Sequence, residues 1–391
     1  MDTVKVAVVG SPFANMFPIY DVAGDEADVL LIVQSSTKPF APWDEPVPNP
    51  YRPATAALKS ASGLRIKASS KHIILASRVL KNKLHHANAK TSTQSDGRIH
   101  LTLAEGFDPK AVSIVLNAIH SRGSKVPRVI DLETLAKIAF FVDRFQLYDA
   151  VEIYADRWIA KLEDQLGDAY DRDLVFWIYT SYVFRRGDLF QAATRIAVAH
   201  SNGPLRTLGL PIREKIIRDI DLQRQSLVST SLITLHAALE TLATTTPSCP
   251  KYHCDSFLLG ELIKTLTKAR LFWPRPEKPF ASVSHTAIVD AVVSTAQFQW
   301  RSPEVVKTGG GSDLWGNPIG KTSPKRATIQ SHQQITPESS PEPVVRVASG
   351  NSFETHACEA RKLVAGLEGL EGLAEGVKGL ALQSGSGYQL Y

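Results

Sequence analysis

Residues 65–77 read Arg-Ile-Lys-Ala-Ser-Ser-Lys-His-Ile-Ile-Leu-Ala-Ser. Before Ser69 the pattern suits a strand: Gly63 to Ala68 is short and alternates. From Ser70 the period changes, and Ile73, Ile74, Val79, Leu80 and Leu84 recur as one apolar stripe of a helix. Ser69, Ser70, Lys71 and His72 sit at the change. Two readings compete for them: an activated nucleophile with its base, or the opening of a helix. A nucleophile needs a base within hydrogen-bond reach and a third group to orient that base. Adjacent helical positions point in different directions and do not supply this. The structural reading accounts for each residue. Ser69 or Ser70 caps the helix, Lys71 is solvated, and His72 hydrogen-bonds the backbone of a neighbouring strand.

Working outward, Asp28-Val-Leu-Leu-Ile-Val33 is a short apolar run with β-branched members, read as a buried strand that pairs with 63–68 as a hairpin. Val4 to Gly10 is a further strand candidate, but no G-x-G-x-x-G follows and a dinucleotide site is excluded. The Pro-rich 35–60 segment reads as a long surface loop. Residues 85–97 are polar and turn-like, and Ile99, Leu101 and Leu103 alternate as a half-buried strand. Asp108-Pro109 starts a helix with Pro at its first position, and Asp131 is the N-cap of the next. Helices are then expected over 147–162, 171–184, 188–200, 211–245, 255–271 and 285–298. The 211–245 helix places Leu227, Ser231, Ile233, Leu235, Leu239 and Leu242 near one stripe.

The 391 residues, 43% apolar and 21% charged, suit a globular protein of about two domains. Three cysteines do not make a disulfide framework and indicate a reducing compartment. No signal peptide and no run of about 18 apolar residues is found, so the expectation is a cytoplasmic or nuclear protein without a membrane span. The net charge is +5, and from Pro46 to Ser95 there is no Asp or Glu beside Arg52, Lys59, Arg65, Lys67, Lys71, Arg78, Lys81, Lys83 and Lys90. That describes a basic face, open to an acidic partner or simply solvated. No zinc-finger spacing, aromatic RNA-binding motif or basic zipper accompanies it, which argues against nucleic acid.

In order along the chain, D-V-L-L-I-V, L-R-I-K-A-S-S-K-H-I-I-L-A-S-R-V-L-K, I-H-L-T-L, D-P-K-A-V-S-I-V-L-N-A-I-H-S-R and L-E-T-L-A-K-I-A-F-F-V-D-R-F-Q-L-Y-D-A-V resemble a BTB/POZ domain of the filamentous-fungal type. The helical part beyond it resembles the C-terminal region of those proteins, with Cys249 to Cys254, the helix 255–271, Phe272-Trp-Pro-Arg-Pro276 and Ser284 in order. The resemblance implies an α+β BTB/POZ domain over 24–165, a small sheet flanked by helices, then an all-α region over 166–300. The residues that carry the domain's pattern and core are Asp28, Val29, Ser70, His72, Ile74, Leu75, Ser77 and Asp143. The function implied is non-catalytic protein–protein interaction, with homodimerisation common in the family. The family's dimer surface uses the first helix and N-terminal strand, which would fall at 11–24. Met16, Phe17, Ile19 and Tyr20 are the apolar candidates there, although Pro12, Pro18 and Gly24 oppose a long helix. The alternative is an adaptor of a cullin-type ubiquitin ligase. The hydrophobic-x-Glu motif such adaptors carry is missing from the loop at 85–95, and Leu103-Ala104-Glu105 lies after the next strand.

Cys249, His253 and Cys254 have ligand types that suit zinc. A fourth ligand is not close in sequence, with His285 and Asp255 the nearest candidates, and adjacent His253 and Cys254 rarely reach one tetrahedral ion. A turn with buried thiols is the competing reading. No other cofactor is implied, and the scattered carboxylates form no acid–base pair. Residues 301–353 are rich in Pro, Ser and Gly and are expected to be disordered, with Ser302, Ser323, Thr336 and Ser340 each preceding a proline. A short amphipathic helix is expected over 354–382, where Leu363, Leu367, Leu370, Leu373, Val377 and Leu380 recur. Its glycines at 366, 369, 372, 376 and 379 make it dependent on a partner surface.

Overall fold

The computed structural model describes residues 17–36, 38–44, 63–90, 96–103, 106–244, 253–296 and 369–382. The expected strand at 4–10 and the Pro/Ser-rich segment 301–353 lie outside these residues. Four strands form one sheet: β1 (Ile19–Asp21), β2 (Val29–Gln34), β3 (Gly63–Ala68) and β4 (Ile99–Thr102). Their order is β1-β3-β2-β4, with β2 antiparallel to β3, and β1–β3 and β2–β4 parallel. β2 is central and buried from Val29 to Val33. Successive side chains point to opposite faces, so Val29, Leu31 and Val33 enter the main core while Leu30 and Ile32 are covered on the other side.

The helix expected to start at Ser70 is two helices, α1 (Ser70–Ala76) and α2 (Arg78–Lys90). Ser77 separates them in an extended conformation, φ −143°. Its hydroxyl accepts from Leu80 N–H at 3.0 Å and donates to the Phe145 carbonyl at 2.6 Å. One residue therefore ends α1, caps α2 and binds another helix. α2 also runs through 85–90, where a turn was expected. The caps at Asp108 and Asp131 form as read: their carboxylates accept from Ala111 N–H and Thr134 N–H, opening α3 (Pro109–Ile119) and α4 (Leu132–Phe145).

α5 (Tyr148–Leu162), α6 (Arg172–Val183) and α7 (Gly187–His200) pack on in succession. The apolar core runs unbroken from Val22 to Leu227 through α6 and α7, with no gap at 165/166. A second cluster joins the distal part of α8 (Glu214–Thr244) to α9 (His253–Lys268) and α10 (His285–Ala296). Among the described residues α8 alone is long and apolar enough to cross a membrane by length and composition, and its stripe from Leu227 to Leu242 is buried in the protein. Ile233 is not on that stripe: it is 68% exposed. It is two positions from Leu235, about 200° around a helix.

Residues 38–44, part of the loop expected over 35–60, have no helix or strand but are pinned to the core. Ala41 is buried and Phe40 and Trp43 are half-buried against the core, because Arg172 donates to the Phe40 and Ala41 carbonyls and Arg206 to that of Trp43. Of the helix expected over 354–382, residues 354–368 lie outside the described residues; α11 (Gly369–Glu375) is helical, whereas 377–382 runs without helix. Gly376 follows at the break, and glycine weakens a helix more than any residue but proline.

Candidate interaction surface

The residues named from the sequence fall in three places. The first is the junction of the hairpin with α1. Asp28, just ahead of β2, accepts from the Ser70 N–H at 2.6 Å and from the Ser70 hydroxyl at 2.5 Å through its two carboxylate oxygens. This carboxylate, and not a serine side chain, caps α1; the Ser69 side chain makes no capping bond. The negative charge also sits where the helix dipole favours it. Ser70 Oγ thereby donates to Asp28, whose carboxylate is at the same time held by the Ser70 N–H as a helix cap.

His72 is corrected as well. The ring that binds backbone is that of His120, unmarked in the sequence reading: its Nε2 accepts from the Ser69 N–H at 2.9 Å. Its Nδ1–H donates to the Leu116 carbonyl at 2.8 Å. This fixes a neutral tautomer, and burial holds the imidazole's pKa below its usual value. His72 stacks on that ring at 4.9 Å between centroids, and its buried Nδ1 has no hydrogen-bond partner among the described residues.

Within α1 the inward residue is Ile73, fully buried. Ile74 is half-buried and packs against that core, whereas Leu75 is 89% exposed and does not hold the core position expected of it. Asp143 in α4 accepts from the Tyr148 hydroxyl at 2.6 Å and lies beside Tyr179, whose phenol burial pushes up in pKa. Asp143 thus orients α5 against α4.

The second place is the sheet edge. β1 pairs with β3 alone among the described strands. Ile19 is 51% exposed on this edge, and Tyr20 is half-buried with its hydroxyl shared with Asn117. Phe17 is buried and removed from any outer surface: its ring lies where a Cβ on Gly63 would collide with it. Met16 lies outside the described residues. Residues 19–21 form a strand where the resemblance put a helix. An edge strand offers unpaired N–H and C=O groups to a further strand. Of the basic residues, Arg65 is spent on the Phe17 carbonyl and Lys67 faces Asp21, whereas Lys71, Arg78 and Lys81 are exposed along α1 and α2.

The third place is the Cys/His turn. Cys249 is outside the described residues, and of His253 and Cys254 only the backbone, opening α9, is described. Elsewhere among the described residues no cluster of three metal-ligating side chains occurs. His285, named as a fourth ligand, is committed to Ser231, its Nδ1 2.8 Å from Ser231 Oγ. That pair resembles a nucleophile with its base, but both residues are buried, and Ser231 Oγ donates to the Leu227 carbonyl at 2.8 Å. With the hydroxyl proton so placed, His285 Nδ1 is the donor to Ser231 and has no capacity to accept its proton.

An open cleft of about 480 Å³ lies where 38–44 meets α4 and α6. Its two carboxylates, Asp108 and Glu133, are both paired with cations of the lining. Lys137 meets Glu133 at 2.8 Å and Asp108 at 3.4 Å, and Arg172 meets Glu133 at 2.9 Å. Burial alone would raise the pKa of Glu133, but the hydrogen bonds from Lys137 and Arg172 outweigh it and hold the carboxyl lowered. The cluster clamps the 38–44 segment, and its pairs leave Lys137, Arg172 and Glu133 engaged with each other.

Sequence reading also missed Arg224. It is fully buried, paired with Asp221 at 2.9 Å, and donates to the carbonyls of Pro279, Phe280 and Val283. A signal existed: Arg224 falls between Ile220 and Leu227 on the apolar side of α8, where a charge needs a buried partner. No family model, curated protein or solved structure matches the chain.

Proposed function

We propose that this chain is a non-catalytic protein-interaction protein built on a BTB/POZ-type domain, acting in the cytoplasm or nucleus, and that it self-associates through the edge at β1. The observation that carries the reading is the order and contiguity of the segments that bear the resemblance. D-V-L-L-I-V and L-R-I-K-A form the β2–β3 hairpin, S-S-K-H-I-I-L-A-S opens the α1–α2 pair, I-H-L-T is β4 beside β2, and the last two segments are α3 and α4. They share one core. The ionic cap from Asp28 to Ser70 locks the hairpin to the helix pair, so the segments support one another rather than merely adjoin.

Self-association is assigned to β1 because its edge is unpaired by any described strand and carries an exposed isoleucine. The exposed Lys71, Arg78 and Lys81 favour an acidic protein surface as the external partner. Light scattering over a concentration series tests the first point. The full chain is expected to approach a dimer and Ile19→Asp to remain monomeric; a wild-type chain that stays monomeric at high concentration overturns self-association. Affinity purification from the native cell with mass spectrometry tests the second. Partners retained by the wild type and lost on Lys71→Glu/Arg78→Glu/Lys81→Glu support it, whereas a stoichiometric cullin would favour the adaptor reading.

A further inference from the structure

The C-terminal segment 369–382 is far in sequence from the helices it meets. Ala296 ends α10, and the segment returns only at Gly369. Leu370, 1% exposed, enters the second apolar cluster between α8 and α10. Leu373 touches both clusters, and Val377, Leu380 and Leu382 pack on the first.

Two contacts go beyond greasy packing. At Gly379, φ +69°, an added Cβ would lie 2.2 Å from the Gln191 carbonyl, 3.0 Å from Thr194 Oγ1 and 3.1 Å from the Arg195 nitrogen. The backbone of the segment therefore lies directly on the backbone of α7, in a conformation and at a distance open to glycine alone. One residue on, the Leu380 N–H donates to Thr194 Oγ1 at 2.9 Å. Thr194 is fully buried, and its own proton goes to the Phe190 carbonyl at 2.8 Å. A buried acceptor is thus presented to the segment and satisfied by it. At the other end His285, 1% exposed, lies beside the Leu370 main chain, with an Nε2 that closes no hydrogen bond of good geometry among the described residues.

The segment does not supply its own shape. Gly-Leu-Glu-Gly-Leu-Ala-Glu is a helix of seven residues, too short to be stable in water, and glycines weaken it further. The seat on α7, α8 and α10 orders it, as a receptor orders a bound peptide. Seat and segment belong to one chain, with 297–368 between them in sequence, so occupancy is an intramolecular event governed by an effective concentration, against which a free peptide competes.

We infer that the groove formed by α7, α8 and α10 is a peptide-docking site, held in this structure by the chain's own residues 369–382. The external partner it accepts in their place is an uncharged-faced peptide of the same pattern. That pattern is two leucines one helical turn apart, then a non-helical stretch with glycine at the closest approach and leucine after it. The inference is independent of the BTB/POZ reading, since no residue of the sheet takes part.

The test uses the full chain with a protease site inserted between 320 and 330. After cleavage, a fluorescent peptide of residues 363–391 is added and its anisotropy followed. The cut chain is expected to exchange its segment for the labelled one, saturably and at one per chain, while the uncut chain binds at least tenfold more weakly. A labelled peptide carrying Gly379→Val is expected to bind the cut chain at least tenfold more weakly than the native peptide. Failure to exchange, equal binding of the Gly379→Val peptide, equal binding to the uncut chain, or unfolding of the cut chain when the segment leaves would each overturn the inference. The last outcome would make 369–382 an inseparable part of the core.

Discussion

Asp28 and Ser70 are 42 residues apart, and one carboxylate takes both the main-chain N–H and the hydroxyl of the serine, at 2.6 and 2.5 Å. A helix start that a serine would normally cap for itself is capped from the neighbouring hairpin. Both bonds have an ionised acceptor, the stronger class of hydrogen bond. Asp28→Ala is expected to destabilise the chain by about 2–3 kcal/mol, a lost cap together with a partly buried hydroxyl left unpaired. Ser70→Ala keeps the main-chain bond and should cost about half as much. Urea denaturation of the two variants measures this, and equal losses would contradict the division of roles.

Acid should weaken the fold through buried imidazoles. His120, His236 and His285 all have pKa values held below the ordinary histidine value, in each case mainly by burial. The folded state keeps them neutral while the unfolded chain binds protons from about pH 6.5 downward. Their stabilisation is therefore complete above about pH 6.5 and is lost as pH falls below it towards their folded values. The midpoint of thermal unfolding should fall between pH 7.5 and 5.5. His120→Gln should fall less steeply, because one of the three coupled protonations is gone.

Arg224 holds the Pro279–Val283 turn to α8 through three carbonyls while paired with Asp221. Arg224→Met removes the charge and leaves these acceptors and Asp221 without the fork. A loss of about 3 kcal/mol or more is expected by chemical denaturation, in the range seen when one member of a buried pair is removed. Arg224→Lys should recover little of it, since an ammonium does not reproduce the planar set of donors.

Arg172 ties the 38–44 segment down by two main-chain bonds, by Glu133, and by lying over the Phe176 ring at 4.6 Å. It is partly exposed, so the ion pair itself contributes little; the carbonyl bonds matter more. Arg172→Ala is expected to raise the rate of limited proteolysis within 38–44 severalfold at a global cost of only about 1–2 kcal/mol. Cleavage elsewhere at the same rate would show that the segment is held by other means.

Local rules settled much of this protein in advance. Asp108-Pro109 and Asp131 open helices because a cap bonds two or three residues ahead, a distance the sequence displays directly. The run from Val29 to Val33 is a strand buried on both faces because continuous apolar residues, three of them β-branched, leave no polar side. Partners at long range were decided only by the tertiary structure. Ser77 breaks a helix because it finds the Phe145 carbonyl, and His120 rather than His72 binds the Ser69 backbone. Neither follows from spacing, since a hydroxyl or an imidazole serves equally well on a surface until another element is packed against it. The same holds for Gly379: a glycine that reads as a weakness in a helix becomes, against α7, the one residue that lets two backbones touch.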